Sequence, residues 1–369
     1  MKIGILTFHR AHNYGAMLQA YALRTVLEEA GHYVNFIDYW PYSHQTRYRL
    51  NRPLKGNNLL AKAKSLVADI LTFNRRYKRI KQFERFSQAY LNTPKQIKYP
   101  QDQQIISEQH DVVIVGSDQI WRNYITPTEY VGFDPVYFCQ NFTHKMPCFS
   151  YAASMGIINM TREEKTIFSS YLRNFQKLLV RESNLNELIR TYGFQSDIVL
   201  DPTLLLSKQQ WNLLLPSAPY RKKKYVLYYD LLASEQANAL AKKQAESMNC
   251  ELLIIDSSIH VMPKKGHIST ASPIEFVHAI RDAEYIIATS FHGTVFSIIF
   301  EKQFLTMGLG DNANRVITLL NLLQIGEQYS KESGVGNTID YSKVSPLLKK
   351  HRDDSLNALH DAINNIELQ

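Results

Sequence analysis

Residues 2–39 read KIGILTFHRAHNYGAMLQAYALRTVLEEAGHYVNFIDY, and this stretch decides the fold. Residues 3–8 are an apolar run of strand length, and apolar side chains then recur at helical spacing over residues 15–30. Gly31 ends the helical pattern, and residues 32–39 form a second apolar run. A strand, a helix and a strand of these lengths favour two parallel strands joined by a right-handed crossover. The sequence therefore predicts an α/β fold.

The same alternation continues in two series along the chain, separated by a polar, Pro-containing stretch at 206–224. The first series adds long amphipathic helix over 57–91, strands at 111–116, 148–154 and 178–181, and a helix at 162–175. The second predicts strands at 225–229, 251–256, 285–289 and 303–307, with helices at 234–248, 273–281 and 293–301. Two such series predict two Rossmann-like domains that face each other across a cleft. The predicted boundaries are 1–182 with a helical insertion at 47–91, then 183–345, then a C-terminal helix at 346–369.

Composition narrows the class of protein. The 369 residues are 45% hydrophobic and carry 42 Lys+Arg against 34 Asp+Glu, a formal charge of +8. Twelve of the basic residues and only two acidic ones lie within 47–85, so this segment alone carries +10 and the rest of the chain −2. No nucleic-acid motif accompanies the charge, so nucleic acid is not an expected partner. The basic segment is either a solvated helical face or a patch that contacts an anionic membrane.

Other classes are excluded by what the sequence lacks. It has no apolar run long enough to span a bilayer, and its apolar start is too short for a signal peptide. The three cysteines form no CxxC pair, and no cluster with metal-ligand spacing is visible. We therefore expect a cytoplasmic protein without a metal or cofactor.

Open parallel sheets bind ligands at the carboxyl ends of their strands, so the residues of a ligand site are expected in the turns after strands. The first turn precedes the first helix and contains Asn13 and Gly15. The helix start favours an anion or a polar ligand, and Gly15 would allow its close approach. Alternatively, Asn13 only caps the helix and Gly15 only relieves crowding.

The second turn follows the strand at 111–116. Asp118 stands where its carboxylate could accept a proton from a sugar hydroxyl, and Trp121 could stack on a sugar ring. Alternatively, Asp118 is a helix cap and Trp121 belongs to the core.

The third turn contains His292, next to the start of a helix at Gly293 and Thr294. The imidazole and these two backbone N–H groups could converge on one anion. Arg181 ends another strand, where its guanidinium could bind a carboxylate or phosphate. The alternatives are a structural histidine and an Arg181 that pairs with Glu182.

Together these turns resemble the polysaccharide pyruvyl transferase family, and the matching elements follow the family order over most of the chain. They are Asn13-Tyr14-Gly15-Ala16 with Leu18-Gln19-Ala20, Gly116-Ser117-Asp118-Gln119-Ile120-Trp121, Ser150-Tyr151-Ala152-Ala153-Ser154, Val180-Arg181-Glu182, Asp201-Pro202-Thr203 and Ser290-Phe291-His292-Gly293. The resemblance implies a GT-B-like arrangement with an acceptor-binding N-terminal domain and a donor-binding C-terminal domain. It also implies transfer of a pyruvyl group from phosphoenolpyruvate to a sugar of a cell-surface polysaccharide or its lipid-linked precursor, as a ketal.

The resemblance also implies roles for individual residues. His292, Asp118 and Arg181 would be catalytic. The donor would be bound by Arg181, Ser290, His292, Gly293, Thr294 and Arg315, and the acceptor by Asn13, Gly15, Gln19, Asp118 and Trp121.

One departure from the family pattern concerns the donor site. Family members carry an arginine where this chain has Ser290, so either Arg315 or Lys302 supplies the missing cation or the donor differs. Two other functions remain open: a GT-B-type nucleotide-sugar glycosyltransferase, and a non-catalytic glycan-assembly protein.

Overall fold

The computed structural model describes residues 1–41, 44–45, 48–50, 57–93, 99–100, 110–123, 132–140, 142, 146–330 and 336–366. Arg47, Arg52 and Lys55 of the basic segment lie outside these residues.

The first half of the chain forms a sheet of six parallel strands in the order β2-β1-β5-β6-β7-β8. These strands are β1 (Lys2–Leu6), β2 (Tyr33–Phe36), β5 (Val112–Val115), β6 (Cys148–Ala153), β7 (Lys177–Val180) and β8 (Asp197–Ile198), and β3 (Tyr39–Trp40) pairs separately with β4 (Tyr99–Pro100). The helices are α1 (Tyr14–Glu29), α2 (Leu59–Tyr90), α3 (Arg162–Leu172) and α4 (Ser183–Thr191). Every residue of β5 is buried, as expected of a strand covered on both faces.

The second half forms another sheet of six parallel strands, in the order β11-β10-β9-β12-β13-β14. They are β9 (Tyr225–Asp230), β10 (Glu251–Asp256), β11 (His267–Ile268), β12 (Tyr285–Ala288), β13 (Phe304–Met307) and β14 (Tyr329–Ser330). The helices are α5 (Lys208–Asn212), α6 (Glu235–Ser247), α7 (Pro273–Asp282), α8 (Phe291–Ile299), α9 (Asn314–Leu322) and α10 (Tyr341–Asn364). The prediction of an α/β fold with two Rossmann-like domains is confirmed.

The first half extends further than the boundary predicted at residue 182. Helix α4 follows that boundary, and β8 then adds a sixth strand to the first sheet. Both residues of β8 are exposed, so no apolar run marked it. Helix α10 starts at Tyr341 rather than at 346, because the Asp340 side chain caps it by accepting from the Ser342 amide.

The two halves contact each other through the first turn of α1. The ring of Tyr14 stacks on Phe276 of α7, with 4.6 Å between the centroids, and its hydroxyl donates to the Ala271 carbonyl at 3.1 Å. Gln119 also donates across the interface to the Asn312 side chain at 3.1 Å. These contacts hold the carboxyl edges of the two sheets face to face.

The apolar side chains of α2 are distributed differently from those of the other helices. Eight large ones in its first twenty residues are exposed: Leu59, Leu60, Leu66, Val67, Ile70, Leu71, Phe73 and Tyr77. Three arginines of the same helix turn toward protein partners instead of solvent: Arg75 donates to the Val261 carbonyl, Arg76 pairs with Asp69, and Arg79 donates to the Asp256 and Ser269 carbonyls. Within the described part of the chain, no helix has the length and apolarity needed to cross a bilayer.

Candidate active site

The strand orders place the predicted turns at one cleft. In the first sheet the direction of strand order reverses between β1 and β5, and in the second between β9 and β12. The turns after β1 and β5 carry Asn13 and Asp118, and the first turn of α8, which follows β12, carries His292. Ligands of such sheets bind at these switch points.

The carboxylate of Asp201, which is 1% exposed, lies between residues of the two halves. Its Oδ2 accepts from Arg181 Nη1 at 2.5 Å and from the Ser117 hydroxyl at 3.0 Å. Its Oδ1 accepts from the amide and the hydroxyl of Thr203 at 3.0 and 2.6 Å. Burial by itself would raise the pKa of Asp201. The charges of His292 and Arg181, with the hydrogen bond from Thr203, outweigh burial and hold the pKa of Asp201 well below its usual range.

His292 reaches this carboxylate from the second half, with Nε2 at 3.7 Å from Asp201 Oδ2. The other side of its ring lies against Gly15. A Cβ built on Gly15 would stand 1.9 Å from His292 Nδ1. Gly15 therefore does permit a close approach, but the group that approaches is this histidine. The site is thus assembled from both halves of the chain.

Arg181 and Arg315 both lie over the ring of Phe291, with 4.8 and 5.5 Å from guanidinium carbon to ring centroid. Burial and the neighbouring charge of Arg181 lower the pKa of Arg315 to about 10. Among the described residues, no hydrogen-bond partner reaches the buried Nε and Nη2 of Arg181, the Nε of Arg315 or the Nε2 of His292. Buried donors without acceptors are costly, so this pocket is suited to an anionic ligand.

Asp118 lies beside the same arginine. Its Oδ1 is 3.6 Å from Arg181 Nη2 and accepts from the Gln119 amide at 2.8 Å. Glu182 points elsewhere, since its Oε1 accepts from the Ser154 hydroxyl and from the amides of Met155 and Gly156. Arg181 therefore pairs with Asp201 and Asp118, and the alternative partner Glu182 supports the loop after β6.

The start of α8 differs from the prediction. Ser290 caps the helix, which begins at Phe291 instead of Gly293, because the Ser290 hydroxyl accepts from the Gly293 amide at 3.0 Å. The Thr294 amide donates to the Ser290 carbonyl at 3.3 Å. The resemblance assigned the N–H groups of Gly293 and Thr294 to the donor substrate, but both already donate hydrogen bonds to Ser290. Ser290 acts here as a helix cap.

Three residues that the resemblance assigned to binding the acceptor sugar have side chains engaged with other parts of the protein. The Asn13 side chain caps α1 by accepting from the Ala16 amide at 3.1 Å. Gln19 is fully buried, where it donates to the Thr7 hydroxyl at 2.9 Å and accepts from the Ser117 amide at 3.2 Å. Trp121 is fully buried too, and its ring stacks on Phe138. A sugar cannot stack on the Trp121 ring in this position, so its alternative, a core residue, is the one observed.

Arg315 and Lys302, the two candidates for the missing cation of the donor site, lie at different places in the second half. Arg315 lies in the pocket beside Arg181, whereas Lys302 precedes β13 and so lies at the opposite edge of the second sheet. Two residues of the site were missed as functional candidates, Asp201 and Phe291. Asp201 stood in a motif of the resemblance, but its sequence neighbours Pro202 and Thr203 indicate only a turn.

A cavity of about 600 Å³ opens next to the turn after β1, between α1, α2 and residues 40, 45 and 48–50. Aromatic and charged side chains line it, among them Arg10, His12, Trp40, Tyr48 and Tyr77. In the described structure the Nε1 of Trp40 is buried without a hydrogen-bond partner. An aromatic wall with an unpaired donor is suited to a polar ligand with apolar faces.

Comparison with known proteins supplies a family and several solved structures. A family model, "Polysaccharide pyruvyl transferase", matches residues 13–311. No curated protein matches the sequence. The solved structures include the S. aureus MnaA-UDP co-structure, at 12% identity and a TM-score of 0.47, covering 98% of this chain and 97% of that one. They also include UDP-GlcNAc 2-epimerase from Methanocaldococcus jannaschii, at 12% identity and a TM-score of 0.45, covering 97% and 93%.

Proposed function

Because the chain belongs to the polysaccharide pyruvyl transferase family, we propose that it moves a pyruvyl group from phosphoenolpyruvate to a sugar and forms a ketal. The family makes the chain a transferase of polysaccharide biosynthesis. The acceptor in this proposal is a sugar of a cell-surface polysaccharide or of its lipid-linked precursor. Phosphoenolpyruvate is a substrate in this scheme, which calls for no separate cofactor.

The observation that carries the proposal is the set of unpaired buried donors on Arg181, Arg315 and His292. Phosphoenolpyruvate bears a phosphate and a carboxylate, and guanidinium groups bind both in a forked geometry. Arg315 would supply the cation that family members place at the position of Ser290. A bound dianion would also offset the repulsion between the two buried arginines.

The reaction requires a proton at the enol carbon and positive charge at the adjacent carbon. In the proposed mechanism, protonated His292 donates that proton while Arg181 and Arg315 hold the anionic groups. One sugar hydroxyl attacks the cationic carbon and loses its proton to Asp118. A second hydroxyl of the same sugar then attacks the same carbon and closes the ketal, while the bond from that carbon to the phosphate oxygen breaks and phosphate leaves with the proton of this hydroxyl. Proton exchange with solvent then returns His292 to its protonated form and Asp118 to its ionised form, so phosphate is the only other product.

The test compares donor binding with turnover. Phosphoenolpyruvate should raise the melting temperature, whereas UDP and GDP should not. His292→Ala and Arg315→Gln should each lower phosphate release in the presence of acceptor by about a hundredfold or more, because each removes a charged contact to the reacting group. Arg122→Gln changes an exposed arginine and serves as the matched control. Stabilisation by a nucleoside diphosphate instead would favour the glycosyltransferase alternative, and unchanged biological activity in His292→Ala would favour a non-catalytic protein.

For the acceptor, we propose the cavity beside the turn after β1. The aromatic side chains of Trp40 and Tyr48 line this cavity, and the Nε1 of Trp40 has no hydrogen-bond partner among the described residues. Trp40→Ala should raise the KM for the acceptor at least tenfold and leave the KM for phosphoenolpyruvate unchanged. An unchanged KM for the acceptor would show that the acceptor binds elsewhere.

We also propose that the protein is cytoplasmic and contacts an anionic membrane through α2. The exposed apolar residues of α2 stand beside the exposed Lys62, Lys64 and Lys78. Contiguous apolar surface rimmed by basic side chains is typical of helices that bind at a membrane interface. Such contact would bring the cleft near a lipid-linked acceptor.

Flotation with vesicles tests this contact. The protein should float with vesicles that contain anionic lipid and much less with neutral ones. The double variant Ile70→Ser, Leu71→Ser should reduce flotation about tenfold, since it removes two exposed apolar side chains without touching the engaged arginines. Equal binding to both kinds of vesicle, or no effect of the double variant, would refute the membrane contact while leaving the donor proposal intact.

A further inference from the structure

A second cluster of chemically active side chains lies outside the anion pocket, at the carboxyl end of β10. Asp256 ends this strand, His267 opens the neighbouring β11, and His260 lies in the loop between them. Asp256 is 2% exposed, whereas the side chains of His260 and His267 are 35% and 17% exposed. Strand β9 separates β10 from the strand that precedes His292, so the two sites are about 10 Å apart at the level of the sheet.

The distances within the cluster are short. His267 Nδ1 is 3.0 Å from Asp256 Oδ2 and 3.1 Å from Oδ1, and His260 Nε2 is 3.3 Å from Oδ1. The ligand atoms of all three residues lie within 4.8 Å of one another. A tetrahedral zinc ion with bonds of about 2.0–2.2 Å keeps neighbouring ligand atoms about 3.3–3.6 Å apart. Small side-chain movements would therefore bring all three atoms to one ion.

We propose that Asp256, His260 and His267 bind a zinc ion. Two imidazoles and one carboxylate suit zinc, whereas calcium and magnesium prefer oxygen ligands alone. Three protein ligands leave a fourth position for water or an anionic group, as in zinc sites that remain open. Sequence analysis predicted no metal site because the three residues show no metal-ligand spacing, and only the pairing of β10 with β11 brings them together.

The ion would fix the loop at 257–266 between the second sheet and α2. Arg75 of α2 donates to the Val261 carbonyl of this loop at 2.7 Å. Arg79 donates to the Asp256 and Ser269 carbonyls, which flank the loop, at 3.3 Å each. A metal ion held across the loop would therefore add a cross-link next to the contact between α2 and the second half.

The experiment uses the full chain stripped of metal with a chelator and dialysed against Zn²⁺, followed by elemental analysis. The wild type should take up one zinc per chain, and Co²⁺ in its place should give the visible absorption bands of tetrahedral cobalt. His260→Ala and His267→Ala should each bind at least tenfold more weakly. His351→Ala removes a partly exposed histidine of α10 and should bind like the wild type.

Hydrogen exchange gives a second measurement that does not depend on enzymatic activity. Zn²⁺ should slow amide exchange over 257–266 in the wild type and in His351→Ala, but not in His267→Ala. Far-UV circular dichroism checks that each variant is folded. The proposal is overturned if the wild type takes up no stoichiometric zinc, or if His260→Ala and His267→Ala bind as tightly as the wild type; the three side chains then form only a hydrogen-bonded His–Asp cluster.

Discussion

The contact between Gly15 and His292 allows the assembly of the site to be tested by one methyl group. In Gly15→Ala, the new Cβ would stand 1.9 Å from Nδ1, 2.3 Å from Cγ and 2.4 Å from Cε1 of His292. An ordinary contact is about 3.5 Å, so the imidazole must retreat by about 1.5 Å. Such overpacking should cost about 1–3 kcal/mol of unfolding free energy. A displacement of this size at a reacting group should lower kcat by about a hundredfold.

The effect of Gly15→Ala on the free energy of unfolding should change sign once the imidazole of His292 is removed. Gly15 lies in the first turn of α1, where alanine is favoured over glycine by about 0.5–1 kcal/mol. In a His292→Ala background, Gly15→Ala should therefore be neutral or stabilising. Urea unfolding of the four proteins of this double-mutant cycle gives the coupling free energy, and phosphate release gives the rate. An equal cost of Gly15→Ala in both backgrounds would refute the inferred contact, whatever the reaction turns out to be.

Three further predictions concern stability. Asp201→Asn leaves Arg181 buried without its main anionic partner and should cost about 3–5 kcal/mol in urea unfolding, and a loss below about 1 kcal/mol would contradict the described pairing. Trp121→Ala should lower the free energy of unfolding by about 3–5 kcal/mol without changing the KM for the acceptor, because the ring lies in the core. A raised KM with unchanged stability would indicate that Trp121 contacts the sugar. Burial, with the charge of Arg79, lowers the pKa of His12 to about 4, so the folded state keeps its imidazole neutral. The associated stability is complete above the unfolded pKa of about 6.5 and is lost as the pH falls toward 4, by at most about 3 kcal/mol. His12→Asn should flatten that part of the stability profile, and an identical profile would contradict the shift.

The strands were predictable from local pattern because buried parallel strands are continuous apolar runs, as Val112–Val115 is. The same reasoning failed for β8, whose two residues are exposed and whose place depends on pairing with β7. Helix α8 starts two residues earlier than predicted, at 291 instead of 293, since the cap by Ser290 depends on a side-chain hydrogen bond that apolar spacing does not reveal.

The site was predictable in outline and not in its pairings. Arg181, Asp118 and His292 follow strands, and parallel topology brings such residues to one edge. Two pairings depend on how the distant halves of the chain meet. Gly15 accommodates the ring of His292, and Asp201 lies between His292 and Arg181. The exposure of the apolar side chains of α2 could not be predicted either, because helical spacing shows which residues share a face and not whether another element covers it.

Helix α10 has a consequence for how the protein is made. The Leu200 amide donates to the Ser355 hydroxyl, 155 residues later in the chain, and Arg352 donates to the Leu204 carbonyl, 148 residues away. At about 5–20 residues per second, the ribosome needs roughly 8–30 s to synthesise that interval. During this time Leu200 and Leu204, which flank Asp201, lack these two hydrogen-bond partners. The surroundings of the Asp201 carboxylate are therefore incomplete until α10 has been synthesised. Slow translation of the second half would lengthen this interval.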